Sequence, residues 1–247
     1  MEAAERAATD SAALALLGPY RSADVAEVVE ATAPTELALL APVATWVGVT
    51  RDDEPGCDDP AQHRGTVLRL VARDSEVAAR IAAHVHSSDR RALVVAGEHF
   101  YGAQLDQQLR LAGLPRAEKP EEADLVILAG LEGEPEIDEA RASAPLPLVA
   151  FDGPQGARLG DREVSLALPF EPVEGFDTPD LLAGVERARA AAKLVAEAVS
   201  SGATERSSML SSLRRLGGFD AHGDPPRPPV WLWRADATWK LQPDRPL

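Results

Sequence analysis

The chain of 247 residues has a single cysteine, Cys57, so no internal disulfide can form and the fold must rest on packing. Aromatic residues are also scarce, at 4%. Apolar area therefore has to come from Ala, Leu and Val, each buried Val or Leu contributing about 1.5–3 kcal/mol, which suits helices laid on a sheet. No run approaches the roughly 18 apolar residues of a membrane-spanning helix. The first residues, MEAAERAATDSA, lack the apolar stretch of a secretory signal. Positive charge is short as well: 25 Lys and Arg against 40 Asp and Glu leave a formal charge of -15, which repels a phosphate backbone and sets nucleic acid aside as a partner. Catalytic signatures are missing too. There is no GxSxG elbow, no GxxxxGK[ST] phosphate loop, no GxGxxG after a strand and no CxxC pair, so the expectation is a noncatalytic chain without a cofactor.

What is present is 45% hydrophobic content, enough for one large domain or two small lobes. Short apolar runs alternate with segments of helical period. Strands are expected at Ala12–Leu17, Glu36–Leu40, Val67–Val71, Ala92–Ala96, Leu125–Ala129, Leu146–Phe151 and Val164–Leu168. Between them, helices are expected over Ser22–Ala31, Asp74–His86, Tyr101–Ala112 and Pro135–Ala142. Runs that are apolar throughout imply parallel strands covered on both faces. After Leu168 the alternation stops: Pro179–Ser200 and Thr204–Leu216 read as helices, and VWLWRADATW as a strand or terminal hairpin. The expected organisation is α/β with two Rossmann-like lobes, the first over 1–89 and the second over 90–170, with 171–247 packing back on both.

Ligands of open α/β sheets sit beyond the carboxyl ends of strands, here GPYRSAD, APVATW, GEHFYG, GLEGE and DGPQG. Ser22 opens a helix, where free N–H groups favour an anion, and on residue type alone it reads as an ordinary N-cap. Ala44 and Thr45 offer a backbone carbonyl and a hydroxyl. Asp152 is either a carboxylate facing a ligand ammonium or turn chemistry before Gly153. Tyr101 either lays its ring over a ligand or covers a core edge. Elsewhere, the acidic loop DDEPGCDD (Asp52 to Asp59) with His63 matches no calcium loop and reads as solvated. His84 and His86, two apart on a helix, point to different faces and make no metal pair. Trp231, Trp233 and Trp239 are expected to put one face of a terminal strand in the core, the net negative charge weighing against a stacking platform.

In order along the chain, LLGPYRSADVAEVVEAT, LALLAPVAT, RLVARDSEVAARIAAHV, ALVVAGEHFYGAQLDQQLRLAGL, DLVILAG, LVAFDG and GFDAHGDPPRPPVWLWRADATW resemble the type I periplasmic binding proteins of the branched-chain amino acid (Leu/Ile/Val) class. The FYG join and the terminal FD…GD…W segment are the most telling. The resemblance implies a solute-binding component of an ABC uptake system, with an amino acid or small carboxylate held between two lobes and a permease as partner. It assigns Ser22 and Thr45 to the ligand carboxylate, the Ala44 carbonyl and Asp152 to its ammonium, and Tyr101 to the cleft wall. The match begins late, since the family's opening strand, helix and strand have no counterpart before residues 2–17, and the segment 153–180 is short. A truncated first lobe of this kind would leave the Ala12–Leu17 strand with an open edge. The expectation is then a longer gene, a partner chain or second copy covering that edge, or an assembly protein that has lost its ligand. Compartment follows the same fork, cytoplasmic as the chain stands and periplasmic with a longer amino terminus. Asp24, in the first helical turn beside Ser22, opposes a bound carboxylate, and Arg21 either offsets it or pairs with it and closes the site.

Overall fold

The computed structural model describes residues 1–51, 54, 65–131, 133–143, 145–151, 164–168, 179–235 and 241–247. In chain order the elements begin with α1 (Glu2–Thr9), β1 (Ala15–Leu17), α2 (Ser22–Thr32), β2 (Ala38–Ala41), β3 (Val67–Arg69) and α3 (Asp74–Ser87). They continue with β4 (Ala92–Ala96), α4 (Phe100–Leu111), β5 (Leu125–Ala129), α5 (Pro135–Ser143), β6 (Leu148–Ala150) and β7 (Val164–Leu168). The last four are α6 (Pro179–Ser200), α7 (Arg206–Gly217), β8 (Trp231–Ala235) and β9 (Leu241–Pro246). The fold is α/β, in two compact units: Met1–Arg73 with Leu181–Pro228, and Asp74–Asp180 with Pro229–Leu247.

The first unit is built on the parallel sheet β1-β2-β3. Alternation along its strands sends Leu39, Ala41 and Val67 to one face, where Val25 and Val29 of α2 cover them. Ala38, Leu40, Leu68 and Leu70 go to the other face and meet Ala191 and Ala198 of α6 and Met209 and Leu213 of α7. Both faces are thus buried, as continuous apolar strands require. α1 was not legible beforehand, because only Ala4 of its eight residues is buried. It is tied down from afar: Arg206 of α7 donates to the carbonyls of Ala7, Ala8 and Asp10, which close its last turn, and to those of Ala13 and Thr35. β1 is shorter than the expected Ala12–Leu17. Asp10 accepts from the N–H groups of Ala12 and Ala13, and that turn holds the chain out of the sheet until Ala15. β2 starts at Ala38 because Glu36 has a left-handed backbone, φ 55°.

The second unit carries a six-stranded sheet in the order β4-β5-β6-β7-β8-β9, parallel through β7 and closed by the antiparallel β8-β9 hairpin. Val77, Ile81 and Val85 of α3, Leu105 and Leu109 of α4 and Ile137 of α5 are buried. The boundary between units falls at Arg73, not near residue 90, since α3 packs on α4 and reaches β7. Residues 171–247 likewise divide, α6 and α7 completing the first unit and the hairpin extending the second sheet. At the join of β4 and α4, a Cβ on Gly102 would lie 2.6 Å from the Gly97 carbonyl oxygen and 2.8 Å from that of Ala129, so only glycine lets the helix start this close to the strand ends. Among the described residues no helix is long and apolar enough to cross a membrane.

Candidate functional site

Parallel strands place their carboxyl ends on one side of a sheet, and in the first unit this brings together the segments after β1 and β2. Arg21, extended and exposed, precedes α2, and Ser22 is the first helical residue. The Trp46 N–H donates to Ser22 Oγ at 3.2 Å, bridging 24 residues of sequence. Thr45, next to Trp46, is half-buried, and its hydroxyl has no hydrogen-bond partner among the described residues. Asp24 is half-buried in the first turn of α2. Ala44 is fully buried, and its carbonyl accepts from Arg69 Nη1 at 2.9 Å. Ser22, Ala44 and Thr45 therefore gather at one place, with the Ala44 carbonyl turned inward.

Arg69 is the centre of a network that the sequence did not announce. It has no solvent exposure although it lies in a strand. Besides Ala44, its guanidinium donates to the carbonyls of Trp46 at 2.9 Å and Val47 at 3.4 Å and to Thr50 Oγ1 at 2.7 Å. Its charge is met by Asp224, 3.2 Å away. Asp224 also accepts from Thr50 Oγ1 at 2.6 Å and Arg51 Nε at 2.7 Å, and Arg73 lies 3.7 Å from it. Burial pushes the Asp224 carboxyl up, but the Arg69 charge, the Thr50 and Arg51 hydrogen bonds and the Arg73 charge outweigh it and hold the group below its ordinary value. Asp220, four residues earlier, accepts the N–H groups of His222, Gly223 and Asp224 and so shapes the loop that presents Asp224. The one sequence signal was the FD…GD tail, whose two aspartates are Asp220 and Asp224.

In the second unit, Tyr101 is the second residue of α4 and half-buried. Its hydroxyl is 3.5 Å from Asp74 Oδ1 at the start of α3, while its N–H is capped by His99 Nδ1. Asp152 lies outside the described residues, as do Cys57, His63, Trp239 and the acidic loop except Glu54, which pairs with Arg73. Among the described residues no group of three or more His, Cys, Asp or Glu is placed to hold a metal ion.

No protein-family model and no curated protein matches the chain. Solved structures do. An ABC transporter substrate-binding protein from Desulfitobacterium hafniense superposes with a TM-score of 0.77 at 16% identity, over 98% of this chain and 84% of that one. A leucine-binding protein, LivK, from Thermotoga maritima gives 0.74 at 16% identity, over 100% of this chain and 83% of that one. The branched-chain amino acid transporter substrate-binding protein LivJ from Streptococcus pneumoniae, in complex with isoleucine, gives 0.73 at 16% identity, over 100% of this chain and 82% of that one. What is shared at this identity is the architecture: the chain has the type I periplasmic binding protein fold, that of the substrate-binding proteins of branched-chain amino acid ABC transporters.

Proposed function

We propose that the protein is a noncatalytic solute-binding protein that takes a small carboxylate or an amino acid and works with an ABC uptake system. The observation that carries this is the first unit's half-site. There Ser22 Oγ already accepts from the Trp46 N–H, so its proton is left to donate outward, beside the unengaged Thr45 hydroxyl and the N–H groups that open α2. Donors of this kind, gathered at a helix N-terminus, suit a carboxylate. The amino-acid ligands named for the LivK and LivJ neighbours support the same ligand class. In this reading Asp152 takes the ligand ammonium and Tyr101 forms part of the wall. Ala44 shapes the turn, since its carbonyl is already an acceptor from Arg69. Calorimetric titration with leucine, isoleucine and short carboxylates tests it. Binding by the native protein should weaken about tenfold in Ser22→Ala and in Thr45→Val, the loss of one charge-assisted hydrogen bond each. A folded protein that binds none of these compounds ends the proposal.

A second reading, an assembly protein of the same fold, has one observation in its favour. Among the described residues β1 pairs only with β2, and Leu17 and Tyr20 at its end are 44% and 58% exposed. An open edge of this sort can take another strand. Light scattering decides: a monomer at every concentration removes this reading.

A further inference from the structure

A serine hydroxyl that accepts from a backbone N–H is a fixed donor only as long as that N–H stays in place. The peptide that supplies it, at Trp46, belongs to a turn with no regular structure until the short 3-10 helix Val47–Val49. Its own backbone bonds run from the Val49 N–H to the Trp46 carbonyl and from the Thr50 N–H to the Val47 carbonyl. Here three of its carbonyls, from Ala44, Trp46 and Val47, converge on one guanidinium, and Thr50 Oγ1 adds a fourth acceptor. Arg69 is wholly buried, so water cannot substitute for any of these acceptors. The planar fork of arginine fits several acceptors at fixed angles, which lysine cannot do. Asp224 faces it from the far loop and neutralises the charge.

We infer that Arg69, held by Asp224, is a positioning residue for the half-site: it pins the 44–50 turn so that the Trp46 N–H meets Ser22 Oγ and Ser22 is kept as a donor. Thr45 lies between two residues whose carbonyls are both pinned, so its hydroxyl is oriented by the same device. The outward-turned protons favour an acceptor there, a carboxylate rather than an ammonium. This rests on Ser22 and Thr45 being the carboxylate half-site, and it links that site to residues 220–224, remote in sequence.

Amide hydrogen exchange on the whole protein tests the positioning without any ligand. The Trp46 amide should be protected in the native protein and exchange about tenfold faster or more in Ser22→Ala and in Arg69→Lys, the equivalent of one lost hydrogen bond, while the Leu40 and Leu68 amides keep their protection. An unchanged Trp46 amide in Arg69→Lys overturns the inference. Should that variant fail to fold, Thr50→Val removes one acceptor of the guanidinium and carries the same expectation. With leucine as the probe, the affinity losses of Ser22→Ala and Arg69→Lys should multiply only in part in the double variant, because part of the Arg69 effect passes through the Ser22 hydroxyl. Losses that multiply in full would also overturn it, whereas a native protein that ignores leucine but passes the exchange test removes only the ligand reading.

Discussion

Replacing Asp224 by alanine is the sharpest test of how the first unit is held. Asp224 is 5% exposed and Arg69 not at all, so the substitution leaves a buried guanidinium without its counter-ion. Removing one partner of a buried ion pair costs about 3–5 kcal/mol. Arg51 adds little, because it keeps its bond to the more exposed Asp220. With a urea dependence of about 2 kcal/mol/M for a unit of this size, the midpoint should fall by about 2 M. The pH dependence has a definite sign. Asp224 is held below its ordinary value, so its contribution is complete above the unfolded carboxylate range, about pH 4, and is lost as pH falls through the lower folded value. Urea titrations of native and Asp224→Ala protein should therefore differ fully at pH 7 and converge only in acid below pH 4. A difference under about 1 kcal/mol at pH 7, or one that persists unchanged into strong acid, would refute the account of Asp224 as the counter-ion of Arg69.

Other outcomes follow from single contacts. Gly223→Ala should lower the first unit's stability by at least about 1–3 kcal/mol, since Gly223 has φ +96° and a Cβ there would overlap the Val67 carbonyl oxygen; thermal melting measures it. Arg206→Ala should release the carboxyl end of α1, seen as faster amide exchange over residues 4–10 with the β2 amides unaffected, and cost about 1–3 kcal/mol overall. Leu40→Ala, between β2 and the α6 and α7 face, should cost about 2–5 kcal/mol in urea unfolding, a loss that a surface position would not show.

Where the chain carries its own local pattern, the sequence was readable. β4, β5, β7 and α6 have the bounds that apolar runs and helical period predicted, because each carries an uninterrupted local pattern over its whole length. α1 escaped because its hold on the fold is Arg206, nearly two hundred residues away, and its own face buries one alanine. The boundary at Arg73 escaped because α3 has the same pattern whichever sheet it covers. At the site, Ser22 and Thr45 stood out as hydroxyls at strand ends, a matter of type and position. Arg69 did not, since a lone arginine in VLRLV looks like a strand residue turned to solvent. Its burial depends on Asp224, supplied from the far end of the chain, and no local rule reports that.

The covering of the first sheet has a kinetic side. Leu40 leaves the ribosome roughly 170 residues before Leu213, which packs in the same cluster. At about 5–20 residues per second, synthesis leaves that face of β1, β2 and β3 open for on the order of ten seconds or more. The whole stretch from Asp74 to Asp180, which carries β4 to β7 of the second sheet, emerges in that interval. Strands β4 to β7 are therefore free to pair first, the β8-β9 hairpin joining them last, while Ala38, Leu40, Leu68 and Leu70 wait as an apolar surface. Nascent chains stalled before α6 should bind holdase chaperones through that surface, and chains released after α7 should not.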